Sequence, residues 1–140
     1  MDILEEINRI LRERKIASHY INGFDENEQC DWYYFDLSLG VRKMGIDVCR
    51  ECTINLGDWH GHYDPEKEHE EFIKTLNDIF DNKLCSLGAY SGSIEPQNVR
   101  GAMLAKSEDV SEKYIIEEFG TGIIVRSCFF DPSFNREYRV

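Results

Sequence analysis

The stretch CDWYYFDLSLGVRKMGIDVCRECTINL, residues 30–56, decides the fold. Tyr33, Phe35, Leu37 and Leu39 alternate with Trp32, Tyr34, Asp36 and Ser38, a period of two that helices do not show. After a turn at residues 43–45, Ile46, Val48, Cys52, Ile54 and Leu56 share a second alternation, broken at Arg50. Two such runs in succession predict an antiparallel hairpin with one face on a core.

Working outward, the period changes. Ile3, Leu4, Ile7, Ile10 and Leu11 fall on one face of a helix over residues 2–17, with Asp2 as N-cap. Residues 22–29, NGFDENEQ, read as a loop. Asp64-Pro65 places a capping side chain before a proline at the first helical position. The spacing therefore predicts a helix over 64–82 that buries Phe72, Ile73, Leu76, Ile79 and Phe80. Strands are expected over 84–91 and 99–106, separated by the turn chemistry of EPQN, and a last one over 122–130. Residues 107–120 fit a short helix ended by Gly120 or a strand turning at GTG, and the helix is preferred. The expected architecture is a single α+β domain over residues 1–140. It has a largely antiparallel sheet of about five strands, packed against two long helices and a short third.

Composition narrows the function. With 140 residues, 41% hydrophobic and 31% charged, the chain can bury a core without staples. Its 16 basic and 27 acidic residues leave a net charge of −11, with a pI near 4.8. That field repels phosphate backbones, so no direct nucleic-acid binding is expected, and a basic protein is the natural complement. No apolar run has the length of a membrane span. The opening MDILEEINRILRERK mixes acids and arginines at helical spacing, unlike a signal or transit peptide, so a cytoplasmic location is expected. In that compartment the five cysteines are expected to be reduced thiols.

The chemistry-bearing residues gather in LGDWHGHYDPEKEHEEF, residues 56–72. His60 and His62 share a face if the segment is extended, and with Asp58, Asp64 or His69 they would form a three-ligand metal set. This is the enzymatic alternative, and no metal signature of the H-E-x-x-H kind accompanies it. Cys49-Arg-Glu-Cys52 is a CxxC, but a redox pair needs its first thiol at a helix N-terminus, and here the pair sits in a strand. No glycine-rich phosphate loop and no G-x-S-x-G occur, so no cofactor is expected. Glu66, Glu68, Glu70 and Glu71 suit the first turns of a helix, with Lys67–Glu71 and Glu70–Lys74 as ordinary i, i+4 pairs. From Asp58 to Asp81 eight acids face only Lys67 and Lys74. Aromatic side chains beside a field of one sign suit a protein interface, where rings anchor and charge steers. The expected partner-binding residues are Asp58, Trp59, His60, His62, Tyr63, Asp64, Glu66 and Glu70.

The whole pattern resembles the small acidic immunity proteins of bacterial toxin–immunity systems. It rests on an N-terminal amphipathic helix, an aromatic-rich hairpin, LGDWHGHYD leading into an acidic helix, and the late VRSCFFDPSF. The resemblance implies a non-enzymatic protein that binds and blocks a basic toxin domain, often a nuclease.

Overall fold

The computed structural model describes residues 2–140. They form two compact units: one comprises residues up to 55 with 60–76, the other residues 56–59 with 77–140. Among the described residues no helix is long and apolar enough to cross a membrane.

The first unit holds a five-stranded sheet whose neighbours follow chain order: β1 (His19–Asp25), β2 (Cys30–Asp36), β3 (Met44–Val48), β4 (Cys52–Leu56) and β5 (Trp59–Tyr63). β1 pairs β2 antiparallel over seven unbroken positions, from His19 opposite Asp36 to Asp25 opposite Cys30. Along β2 and β3 the alternation works as read. Phe35 faces Ile46 and Tyr33 faces Val48 on the covered side, whereas Tyr34 faces Asp47 on the other. Phe35, Ile46, Val48, Cys52 and Ile54 are buried. So are Ile7, Ile10 and Leu11 of helix α1 (Ile3–Glu13) and Phe72 and Leu76 of helix α2 (His69–Phe80). Asp2 caps α1 by accepting from the Glu5 N–H at 2.9 Å. His69 Nε2 joins the two helices by meeting Glu6 Oε2 at 2.5 Å.

The second unit holds a four-stranded sheet in the order β7-β6-β8-β9. Its strands are β6 (Leu84–Tyr90), β7 (Val99–Lys106), β8 (Ile124–Cys128) and β9 (Glu137–Arg139), and all its pairings are antiparallel. Helix α3 (Glu112–Phe119) is the preferred reading of 107–120: Ser111 caps it and Gly120 ends it at a positive φ of 86°. Ile115 packs with Cys85, Leu87, Ala89, Ala105 and Val125 in the buried cluster.

Two expectations need correcting. The single sheet with two long helices is replaced by two antiparallel sheets of five and four strands, with helices of 11, 12 and 8 residues. The helices stop short for local reasons. Lys15 takes a φ of 56° just past α1, and Asn82 a φ of 59° just past α2. Residues 64–68 form a capped turn ahead of α2 rather than its first turn. The extra strands come from segments read as loop or as one strand. Residues 46–56 turn back at Arg50, where the Cys49 N–H bonds the Glu51 carbonyl, and so make both β3 and β4. NGFDENEQ supplies the end of β1, and WHGHY forms β5.

The cysteines are the second correction. Cys30 and Cys49 form a disulfide with Cα atoms 6.5 Å apart, while Cys52, Cys85 and Cys128 are buried and in no disulfide. The expectation of five reduced thiols fails because strand pairing, which spacing cannot foretell, sets two residues 19 apart side by side.

Candidate functional site

The side of the first sheet opposite Phe35 and Ile46 faces solvent. Across it run Ile21 from β1, Trp32 and Tyr34 from β2, Asp47 from β3, Thr53 and Asn55 from β4, and His60 and His62 from β5. Two glycines shape this surface. A Cβ at Gly23 would lie 2.6 Å from Trp32 Cζ2, and one at Gly45 would lie 2.7 Å from Tyr34 Cε2. Each ring therefore lies flat across a neighbouring strand, at a position that only glycine leaves open. The result is an aromatic ledge of half-buried rings.

Beside the ledge, at the end of the sheet where the β1–β2 and β3–β4 turns lie, is an open depression of about 520 Å³. Its wall carries five carboxylates, Asp25, Glu28, Asp47, Glu51 and Asp64, with Cys49 and Thr53 between them. Arg50 is the one cation in the wall, and Glu28 engages it: Arg50 Nη2 donates to the Glu28 carbonyl, and Nε lies 3.4 Å from its carboxylate. The unit as a whole has 16 acidic and 9 basic residues. The acidic field reaches the ledge, where burial first, then Asp36 and Asp47, push the Tyr34 hydroxyl above its usual range. Backbone N–H bonds from Lys67 and Glu66 hold Asp64 below the usual carboxylate range, so it stays ionised.

The eight residues expected at the interface divide between the two units, Asp58 and Trp59 in the second and the other six in the first. Asp58 belongs to the second unit, at the turn that Gly57 makes with a φ of 58°. Its carboxylate takes a bidentate pair from Arg126, at 3.1 Å to each oxygen, and lies over Gly88 of β6. Tyr63 is 8% exposed and stacks edge-on against Phe72 with ring centres 5.5 Å apart, so it is a core residue. Trp59 is half-buried. His60 and His62 stay exposed, ring against ring at 5.0 Å. Asp64 accepts from the Glu66 and Lys67 N–H groups, and its own N–H donates to Glu68 Oε1, which closes the turn before α2. Glu66 and Glu70 are exposed and line a separate open depression of about 610 Å³ with Pro65, Lys67, Glu68, His69 and Glu71.

The histidines do not assemble a catalytic constellation. His62 Nδ1 meets both Thr53 Oγ1 at 3.0 Å and Glu51 Oε1 at 3.1 Å. A nucleophile relay needs base and carboxylate on opposite ring nitrogens, and here both partners share one. His69, the offered third metal ligand, is turned toward Glu6. Among the described residues no three His, Cys, Asp or Glu side chains converge on a point where a metal could sit.

What sequence reasoning missed is the ledge. Trp32 and Tyr34 stood on the polar side of the alternation, and two large rings there were the available signal. Asp25, Glu28 and Asp47 carried no signal, because they meet only through strand pairing. The chain matches no protein-family model, no curated protein and no solved structure.

Proposed function

We propose that this chain is a non-enzymatic binding protein that neutralises a basic protein partner, acting as an immunity protein that blocks a cognate bacterial toxin. The observation that supports it is the acid-lined depression beside Trp32 and Tyr34. A lysine- or arginine-rich loop of a partner would enter the depression, while its apolar stems or flanking side chains cover the rings. Long-range attraction to the carboxylates would steer the encounter, and ring burial would set the lifetime. His60, His62, Glu66 and Glu70 remain accessible to the same partner, whereas Asp58 and Tyr63 serve the fold. The metal-dependent alternative has less support, since His69 is engaged by Glu6 and, among the described residues, no three ligand side chains converge on one point.

The test is binding kinetics against the protein encoded by the adjacent reading frame, at low and high salt. Asp47→Lys/Glu51→Lys should slow association, and the effect should shrink as salt rises. Trp32→Ala should speed dissociation at least ten-fold, the behaviour of an interface anchor. A charge reversal at Glu66 and Glu70 is the comparison. If it alone weakens binding, the partner sits on the segment ahead of α2, and the ledge is not the interface. Wild-type kinetics for all three variants would sink the proposal.

A cytoplasmic location is part of this reading, and the Cys30–Cys49 bond is the observation that opposes it, because the glutathione pool keeps cytosolic thiols reduced. Trapping the thiols with an alkylating agent at the moment of lysis decides the compartment. Alkylated Cys30 and Cys49 would fit the cytoplasm, and a persistent bond would exclude it.

A further inference from the structure

β1 is an edge of the five-stranded sheet, and it is built unlike the other edges. Edge strands of proteins that stay monomeric are blunted by charge, proline, a bulge or short length. β7 carries Arg100 and Lys106, and its register with β6 is interrupted near Tyr90. β9 has three residues, two of them charged, and β5 has five with two polar histidines. β1 has seven residues, HYINGFD, with no proline, lysine or arginine and with its one carboxylate at the far end. Tyr20, Ile21 and Phe24 stand 44%, 43% and 55% exposed along it.

Read antiparallel against itself about Asn22, HYINGFD is self-complementary. His19 falls opposite Asp25, Tyr20 opposite Phe24, and Ile21 opposite Gly23, with Asn22 meeting its own copy. Residues directly opposite in an antiparallel pair share a face of the sheet. On the outer face, Ile21 of the second copy would therefore pack against the edge of the Trp32 indole, which fills the space above Gly23. On the inner face, Phe24 of the second copy would extend an aromatic row. Tyr20 already stacks there on Tyr33 at 6.2 Å and meets Phe35 at a tilt at 5.0 Å. At each end an imidazole meets a carboxylate. We propose that two copies of this chain associate edge to edge through β1 in this register, joining two five-stranded sheets into one sheet of ten. The pairing is isologous, so it closes at a dimer. The second copy is favoured over a foreign strand because the strand's own sequence satisfies both faces and both ends. The pairing stands independently of any toxin partner.

Two acidic copies repel, so dimerisation should strengthen with salt, opposite in sign to the binding of a basic partner. Sedimentation of the purified chain alone should show a mass twice 16.4 kDa at high concentration, with the dimer fraction higher in high salt. Ile21→Lys/Phe24→Lys should return it to the single-chain mass, with an unchanged circular-dichroism spectrum showing that the fold persists. Asn22→Cys tests the register. Cα atoms directly opposite in an antiparallel pair are roughly 4.5–5.5 Å apart, inside the disulfide range. Mild oxidation should therefore link the two introduced thiols, whereas Tyr20→Cys, four ladder positions from its own copy, should stay unlinked. A chain that is monomeric at every concentration and salt would overturn the proposal. So would a dimer that survives the lysine pair, or one in which Asn22→Cys fails to cross-link.

Discussion

The Asp58–Arg126 pair permits a prediction whose magnitude follows from the structure. Arg126 gives Asp58 two hydrogen bonds of 3.1 Å, and the side chains are 44% and 17% exposed respectively. Bonds to a charged group contribute about 1.5–3 kcal/mol, while fully exposed ion pairs contribute about 0–1 kcal/mol. A half-covered bidentate pair lies between these limits, so Asp58→Ala should cost about 2 kcal/mol. If all 140 residues unfold together, the unfolding entropy is about 0.3 kcal/mol/K and Tm should fall by roughly 7 °C. Gly88 offers an independent way to break the same pair, because a Cβ there would lie 2.8 Å from Asp58 Cγ and inside contact of the carboxylate oxygen. Gly88→Ala should thus push the carboxylate off Arg126 and destabilise by a similar amount. In the double variant the added Cβ has no carboxylate left to displace. Its cost should fall short of the sum of the single costs by about 1 kcal/mol or more, the mark of coupled sites. Calorimetry on the four proteins gives the cycle, and it also shows whether the two units melt in one step. A wild-type Tm for Gly88→Ala, or strict additivity, would refute the reasoning.

Other outcomes follow from individual side chains. Burial first, then the hydrogen bond to Asp58, pushes the Tyr90 hydroxyl up to about 12. Its folded pKa lies above the unfolded value near 10, so the stability it contributes is complete below pH 10 and is lost as pH rises toward 12. In absorbance at 295 nm the last tyrosine to titrate should be missing from Tyr90→Phe, which should also flatten the alkaline fall in stability. In denaturant without reductant three thiols should react with Ellman's reagent, rising to five after reduction, in line with the Cys30–Cys49 bond. Five thiols at the outset would exclude that bond. Cys30→Ser/Cys49→Ser should lower stability by about 3 kcal/mol, the loop-entropy value for a closure of this length. Tyr63→Ala should destabilise by about 3 kcal/mol or more through the void it leaves against Phe72, while His60→Ala/His62→Ala should leave the melting curve unchanged. If these two swap, the assignment of the faces of β5 is wrong.

Helix and strand periods were legible from the chain alone wherever local chemistry decides them. Asp2 before Ile3 announces α1 because its cap is satisfied within a few residues, whereas residues 107–120 fitted helix or strand until the structure showed Ser111 capping α3. Phe72, Leu76, Ile79 and Phe80 were legible as a buried stripe, and Phe35, Ile46, Val48, Cys52 and Ile54 as one face of a sheet, since period fixes which residues share a side. Tertiary structure alone decided which side is covered and which strands are neighbours. Period cannot say that Tyr63 goes into the core while Trp32 lies out over Gly23, nor that Asp58 answers an arginine 68 residues away. Nor can it join Cys30 to Cys49 or set five carboxylates around one depression. Those facts arise from hydrogen-bonded register between strands, a non-local choice made by the burial of the whole sheet rather than by any one stretch of it.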